Sequence, residues 1–197
     1  MGASIGGDLH DLITALATGR EESREAAALA LGRIGPAALQ PLSGLLTSSN
    51  ANLRWWAVRS LAEVGGDGTV APLTCALADE DADVRACACL ALGKIGAGSA
   101  VMALVERMSD QSGFVAAIAA DALSMLGDEA VGGLTGMLQD ERPTVRLLAV
   151  RALGKIGSQQ VVEPLCHALE DTSYLVSQCA LDALEKLGVG MVYFSPG

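Results

Sequence analysis

Six glycines, at positions 35, 65, 96, 127, 157 and 188, recur every 30 or 31 residues, and each closes the same phrase, Leu-x-x-Ile/Val/Leu-Gly. A fixed period of this length is the signature of a stacked repeat, in which one supersecondary unit shelters its neighbour's apolar face. Four residues before each glycine stands Leu31, Leu61, Leu92, Leu123, Leu153 or Leu184. Eight before it stands Ala27, Ala57, Ala88, Ala119, Ala149 or Ala180. With the branched residue directly before the glycine, these positions form a stripe of helical period that faces the core. The small alanine lets a second helix approach, and the glycine supplies the left-handed residue that ends the helix.

A second, shorter apolar segment precedes each of these helices, with leucine-type residues four apart: Leu12/Leu16, Leu42/Leu46, Leu73/Leu77, Leu104/Met108, Leu134/Leu138 and Leu165/Leu169. The turn between the segments carries Asp79, Asp110, Asp140 or Asp171, with Thr18 and Ser48 at the equivalent place, all residues that favour turns and helix caps. Each unit therefore reads as a helical hairpin, too short to be stable alone. Aromatic residues make up only 3% of the chain, which argues against a β-sandwich or barrel. The expected fold is all-α, a right-handed α-solenoid of about six stacked hairpins. The unbroken register predicts one repeat domain over residues 8–188, with repeats at about 8–36, 37–67, 68–98, 99–128, 129–159 and 160–188. Residues 1–7 read as disordered. Residues 189–197 read as a tail whose Val192-Tyr193-Phe194 cluster caps repeat six or docks elsewhere.

The segments Asp83-Val84-Arg85-Ala86-Cys87-Ala88-Cys89-Leu90-Ala91-Leu92-Gly93-Lys94-Ile95-Gly96 and Val145-Arg146-Leu147-Leu148-Ala149-Val150-Arg151-Ala152-Leu153-Gly154-Lys155-Ile156-Gly157 resemble HEAT-like repeats of the phycobilisome-lyase type. The resemblance spans about residues 8–188 and implies scaffolds, adaptors, bilin lyase subunits and metalloenzymes alike, so it specifies fold rather than task. Repeat four departs from it at Gly113-Phe114-Val115-Ala116, and repeat six has Ser177 in the arginine position.

Charge narrows the task. The chain has 13 basic and 23 acidic residues, a net charge of −10, which argues against nucleic acid or an anionic membrane as partner. No apolar run approaches the roughly 18 residues that span a bilayer, and no targeting segment is read at the N-terminus. Five cysteines, with no Cys-x-x-Cys, read as reduced, buried thiols of a cytoplasmic protein. Arg24, Arg54, Arg85 and Arg146, each eleven residues before a glycine, predict a ladder of arginines bonded to turn carbonyls or to the neighbouring aspartate. Arg33, Lys94, Lys155 and Lys186 complement helix dipoles in last turns. Arg20, Arg59, Arg107, Arg142 and Arg151 have no such repeat-wide role.

In the second helix, the face opposite the Ala/Leu stripe lies ten and six residues before the glycine, and the resemblance implies that this face is concave. It reads Glu25/Leu29, Trp55/Arg59, Ala86/Leu90, Ala117/Asp121, Leu147/Arg151 and Gln178/Asp182. Trp and Arg dominate interface energetics, so Trp55, Arg59, Leu90, Asp121, Leu147 and Arg151 are the candidate partner-binding residues. Trp56, whose row is otherwise apolar, is assigned to packing.

No catalytic residue and no metal ligand is predicted. His10 and His167 lie in the first and last repeats. The His-Glu pairs implied by the metalloenzyme branch are replaced by Glu25-Ala26, Trp55-Trp56, Ala86-Cys87, Ala117-Ile118, Leu147-Leu148 and Gln178-Cys179. Gly132, Gly133 and Gly136 read as a loosened or closely packed outer helix. The expected function is a non-enzymatic scaffold or adaptor that binds another protein or peptide without a cofactor. The alternative is a bilin lyase subunit holding a linear tetrapyrrole by stacking and propionate pairing.

Overall fold

The computed structural model describes residues 8–189, which are helical with no strand among them. The predicted disorder of residues 1–7 and, apart from Val189, the predicted tail or cap over 189–197 lie outside the described residues. The chain divides into two compact units, one ending at Ala97 and the other beginning at Gly98.

The first unit holds three hairpins: α1 (Leu9–Thr18) with α2 (Glu21–Ile34), α3 (Leu39–Leu45) with α4 (Ala51–Val64), and α5 (Val70–Ala76) with α6 (Ala82–Lys94). The second holds α7 (Val101–Arg107) with α8 (Gly113–Met125), α9 (Val131–Met137) with α10 (Pro143–Ile156), and α11 (Val162–Ala168) with α12 (Tyr174–Lys186). Within the first unit α4 packs between α2 and α6, and within the second α10 packs between α8 and α12. This succession of stacked hairpins is the α-solenoid repeat that the glycine period demands.

All six alanines eight residues before the glycines, and all six leucines four before, are buried. The branched residues directly before the glycines are only half-buried, from Ile34 to Leu187, so the core stripe is narrower at that end than the sequence implies. Its width comes instead from a row that the period alone does not reveal. Ala30, Ser60, Ala91, Ala122, Ala152 and Ala183, five residues before each glycine, are also buried. Close approach is set by a glycine two positions on. A Cβ at Gly32 would stand 2.8 Å from the Glu63 Cβ, and one at Gly154 would stand 2.9 Å from the Ala183 Cβ. At Gly133 a Cβ would lie 2.7 Å from Val105, so this member of the glycine cluster in α9 serves close packing, whereas Gly132 and Gly136 face open space.

Each of the six period-setting glycines has positive φ, from 63° to 76°. Gly157 is left-handed helical (φ 67°, ψ 14°), but Gly35 (φ 73°, ψ −139°) and Gly65 (φ 63°, ψ −173°) occupy backbone space that side chains essentially forbid. Short 3-10 turns, absent from the sequence expectation, lead from several closing glycines toward the next hairpin, as at Gly35–Ala38 and Gly127–Ala130.

The arginine ladder forms as predicted. Arg54 donates from Nε and Nη2 to the two Asp79 carboxylate oxygens at 2.7 Å each, and from Nη1 to the Ser48 carbonyl at 2.8 Å. Arg146 repeats this geometry with Asp171 (2.7 and 2.8 Å) and the Asp140 carbonyl (2.9 Å). Arg85 donates to the carbonyls of Asp79 (2.8 Å) and Glu80 (3.1 Å). Arg24, whose next turn has no aspartate, bonds Asn52 instead. The turn aspartates serve twice: Asp79, Asp110, Asp140 and Asp171 each accept the N–H two residues on, at 2.7–2.9 Å. Repeat four has Ala116 in the ladder position. There Asp140 is gripped from its own turn by Arg142, which also donates to the Ser109 hydroxyl at 2.6 Å.

Burial works against the charge of Asp79, but hydrogen bonds from Arg54 and from the Asp81 N–H outweigh it and hold the carboxyl below its ordinary range. The Arg146 bond does the same for Asp171, and the Arg142 bond for Asp140.

Candidate functional site

The closing helices leave a stripe toward solvent at positions thirteen, ten, six and two residues before the glycine, interrupted on α6 by buried Ala86. The two units carry different chemistry on it. In the first unit, the first-turn positions are polar: Glu22, Asn52 and Asp83, all exposed. Trp55 stands half-buried on α4 in the next row, its ring edge-on to Trp56 with centroids 4.9 Å apart. Trp56 is buried, as its row predicts. One turn further, Leu29 on α2 and Leu90 on α6 are exposed by 40% and 37%. These flank Arg59, which does have a structural partner: it bonds Glu25 across the helix pair at 2.9 Å, and Glu63 one turn along α4. The ion triad has two carboxylates for one guanidinium. The first unit thus presents an aromatic face with apolar neighbours and a pinned, net-anionic cluster.

In the second unit Asp121 and Lys155 form an ion pair between α8 and α10. Leu147 is half-buried, while Arg151 is exposed with no hydrogen bond or ion pair among the described residues. Asp121 is thus paired with Lys155, whereas Arg151 is not engaged by any described residue. The sequence passed over the first-turn row of this unit, where Phe114 (57% exposed) and Leu175 (66%) replace the polar residues of the first unit, next to Tyr174 (74%). Counting that row along the period would have exposed the change.

No disulfide forms among the described residues. The expectation that all are buried is corrected at Cys75, which is exposed because it lies on the outer side of the two-turn helix α5; Cys89 is buried and Cys87, Cys166 and Cys179 are half-buried. Burial pushes the Cys87 thiol up to about 12, against the pull of Arg59 and Lys94. A cleft of about 320 Å³ in the second unit, lined by Leu138, Asp140, Arg146, His167, Glu170 and Asp171 among others, opens beside the ladder. Its Arg146 and Asp171 satisfy each other. No group of three or more His, Cys, Asp or Glu residues suited to a metal ion occurs among the described residues. No described helix is long and apolar enough to cross a membrane.

With this geometry in hand, comparison with known proteins is informative. The HEAT repeats family matches residues 9–86, 70–142 and 132–191. Phycocyanobilin lyase subunit alpha of Picosynechococcus sp. (strain ATCC 27264 / PCC 7002 / PR-6) is 37% identical over 68 residues, which make up 31% of this chain and 25% of that protein. The chain thus spans about a quarter of the length of that curated relative. Among solved structures, an engineered protein is 27% identical with a TM-score of 0.54, covering 93% of this chain and 98% of its own. The complex of CpcE and CpcF of phycocyanin lyase from Nostoc sp. PCC7120 is 22% identical with a TM-score of 0.55, covering 95% and 80%. A designed armadillo repeat protein in complex with the peptide (KR)4 is 20% identical with a TM-score of 0.55, covering 92% and 100%. The last two share the fold alone.

Proposed function

The chain belongs to the HEAT-repeat family, and from that premise we propose that it is a non-enzymatic, cytoplasmic scaffold that receives another protein or peptide on the solvent-facing stripe of its closing helices. The observation that supports this most is Trp55. A tryptophan half open to solvent, with exposed Leu29 and Leu90 on the adjoining helices, is a ready anchor of the type that dominates interface energies. Arg59 supplies the polar surround of Trp55 in the first unit; in the second unit Asp121, Leu147 and Arg151 are the candidate contacts, with Arg151 exposed.

The decisive experiment is affinity capture from the native cell, followed by reconstitution with the purified partner. Trp55→Ala combined with Arg59→Ala is expected to preserve helicity and a cooperative melt while weakening the partner by roughly 30-fold or more, as loss of a central aromatic anchor does. Undiminished binding would sink the assignment.

The 37% identity to a lyase subunit favours a second reading, a bilin lyase subunit or chromophore-handling protein whose ligand is a linear tetrapyrrole. Trp55 would stack on the pigment, and Arg59 one turn along the same helix would pair with a propionate. Protein purified in the presence of phycocyanobilin should then be coloured and transfer pigment to a phycobiliprotein subunit. A colourless, inert product returns the assignment to the scaffold.

A further inference from the structure

The first-turn row of the second unit differs from its counterpart in the first in a way that folding does not require. Position thirteen before the glycine is Glu22, Asn52 and Asp83 in the first unit but Phe114, Thr144 and Leu175 in the second. Polar side chains are thus accepted there by the same repeat. Phe114 and Leu175 are nevertheless large, apolar and more than half exposed, and Tyr174 beside Leu175 is three-quarters exposed. With half-buried Leu147 one turn further along α10, they set apolar side chains on α8, α10 and α12 around the exposed Thr144 that holds the middle place of the row. Neighbouring helices pack about 8–10 Å apart, so this apolar band runs roughly 16–20 Å. Large apolar side chains exposed together on neighbouring helices mark an interaction site.

Charge chooses the occupant. Residues 98–197 contain 12 acidic and 6 basic residues. Four of the bases, Arg107, Arg142, Arg146 and Lys155, are already engaged by carboxylates. The turns leading into α10 and α12 carry exposed Glu141 and Glu170, which have no ion pair among the described residues. Exposed Arg151 stands one turn beyond Leu147 on the other side, so it is the edge of the band at these turns that is anionic, and that edge opposes a second copy of this acidic chain and favours a cationic partner. We infer that the band from Phe114 to Leu175 docks a basic amphipathic helix of a partner protein, with three or four apolar residues over the band and lysines or arginines against the flanking glutamates. A helix covers this span in about 11–13 residues, with anchors at i, i+4, i+7 and i+11. The inference goes beyond the Trp55 reading and shares only Leu147 with it.

The test uses the full chain and fluorescence anisotropy with a labelled fourteen-residue peptide of leucine and lysine, its leucines at i, i+4, i+7 and i+11. One control peptide has the same composition in shuffled order, and another has glutamate in place of lysine. The ordered lysine peptide is expected to bind at least about tenfold tighter than either control. Phe114→Asp with Leu175→Asn, which installs the residue types of the first unit, should erase that advantage while leaving circular dichroism and melting unchanged. Trp55→Ala should leave it intact, which separates this site from the Trp55 stripe. If the double variant melts early, the two single variants carry the same comparison. Equal affinity for ordered and shuffled peptides, equal affinity for the glutamate peptide, or undiminished binding by the variants would overturn the inference. So would sedimentation showing a wild-type dimer that the double variant dissociates, because a second copy would then cover the band.

Discussion

The two units follow one register and diverge in what they place outside it. Both bury the alanine and leucine rows completely, and both end their closing helices on glycines of positive φ. Yet the first unit has an arginine in all three ladder positions, Arg24, Arg54 and Arg85, while the second has only Arg146, with Ala116 and Ser177 elsewhere. The solvent-facing stripes differ as well. The first unit is polar at the first turn and apolar one turn beyond Trp55, at Leu29 and Leu90. The second is apolar at the first turn in two of its three helices, at Phe114 and Leu175 but not Thr144, and charged at Asp121, Arg151 and Asp182. The buried alanine and leucine rows stay constant while the ladder and the solvent-facing stripe vary, so the surface of each unit is free to suit its own partner without disturbing the core of the stack.

The largest expected effect concerns the ladder. Arg54→Ala leaves the Asp79 carboxylate, only 10% exposed, without its two charge-assisted bonds, and should destabilise the chain by about 2–3 kcal/mol in urea titration. The same pairing sets an acid limb. Because the folded-state pKa of Asp79 is depressed, its contribution is fully present above the unfolded value of roughly 3.9 and is lost as pH falls through the lower folded value. The wild-type midpoint should therefore decline below about pH 4, and that part of the decline should vanish in Arg54→Ala. An unchanged acid limb in the variant would show that the ladder does not carry it.

A smaller contrast separates the closing glycines. Gly65, with ψ near −173°, lies where only glycine is comfortable, whereas Gly157, with ψ 14°, lies where asparagine is tolerated. Gly65→Asn should cost about 1–3 kcal/mol, and Gly157→Asn less than about 1 kcal/mol. Equal costs would mean that the two units end their helices alike. Smaller still is the result of restoring the ladder in repeat four. Ala116→Arg in an Arg142→Ala background should return a grip on Asp140 and raise the urea midpoint slightly, by less than about 1 kcal/mol.

Period and spacing made the core legible, because burial acts on every repeat identically and six copies of one constraint are easy to see. Ala57, Leu61 and Gly65 could be placed from sequence for that reason, as could Arg54 beside the turn of the next repeat. What repeats only in part was harder. The narrowing of the stripe at Ile34 and Ile156, and the close approach at Gly32 and Gly154, depend on how two helices cross and leave no mark in a single helix's periodicity. Arg59 has no repeat-wide partner in the sequence because Glu25 lies 34 residues away on another helix, a pairing that belongs to neither repeat alone. Phe114 and Leu175 lie outside the rows ten and six residues before the glycine, and their exposure depends on where the helices begin.

The smallest effect leaves stability untouched and probes the surface of the first unit directly. Its cysteines span the full range of environments: Cys75 exposed on α5, Cys87 half-buried on α6 with its thiol near 12, and Cys89 buried. The thiolate is the reactive species, so at pH 8 Cys87 holds only roughly one part in ten thousand of it. An alkylating reagent should therefore modify Cys75 in a fast phase that Cys75→Ser abolishes, with Cys87 far slower. Because Arg59 and Lys94 pull the Cys87 value down, Arg59→Ala should slow that residue further while Cys75 keeps its rate. A faster Cys87 in Arg59→Ala would mean that the guanidinium, pinned by Glu25 and Glu63, shields the thiol from solvent more than it favours the thiolate. The triad would then act as a cover over the α4–α6 seam that a partner at Trp55 has to move.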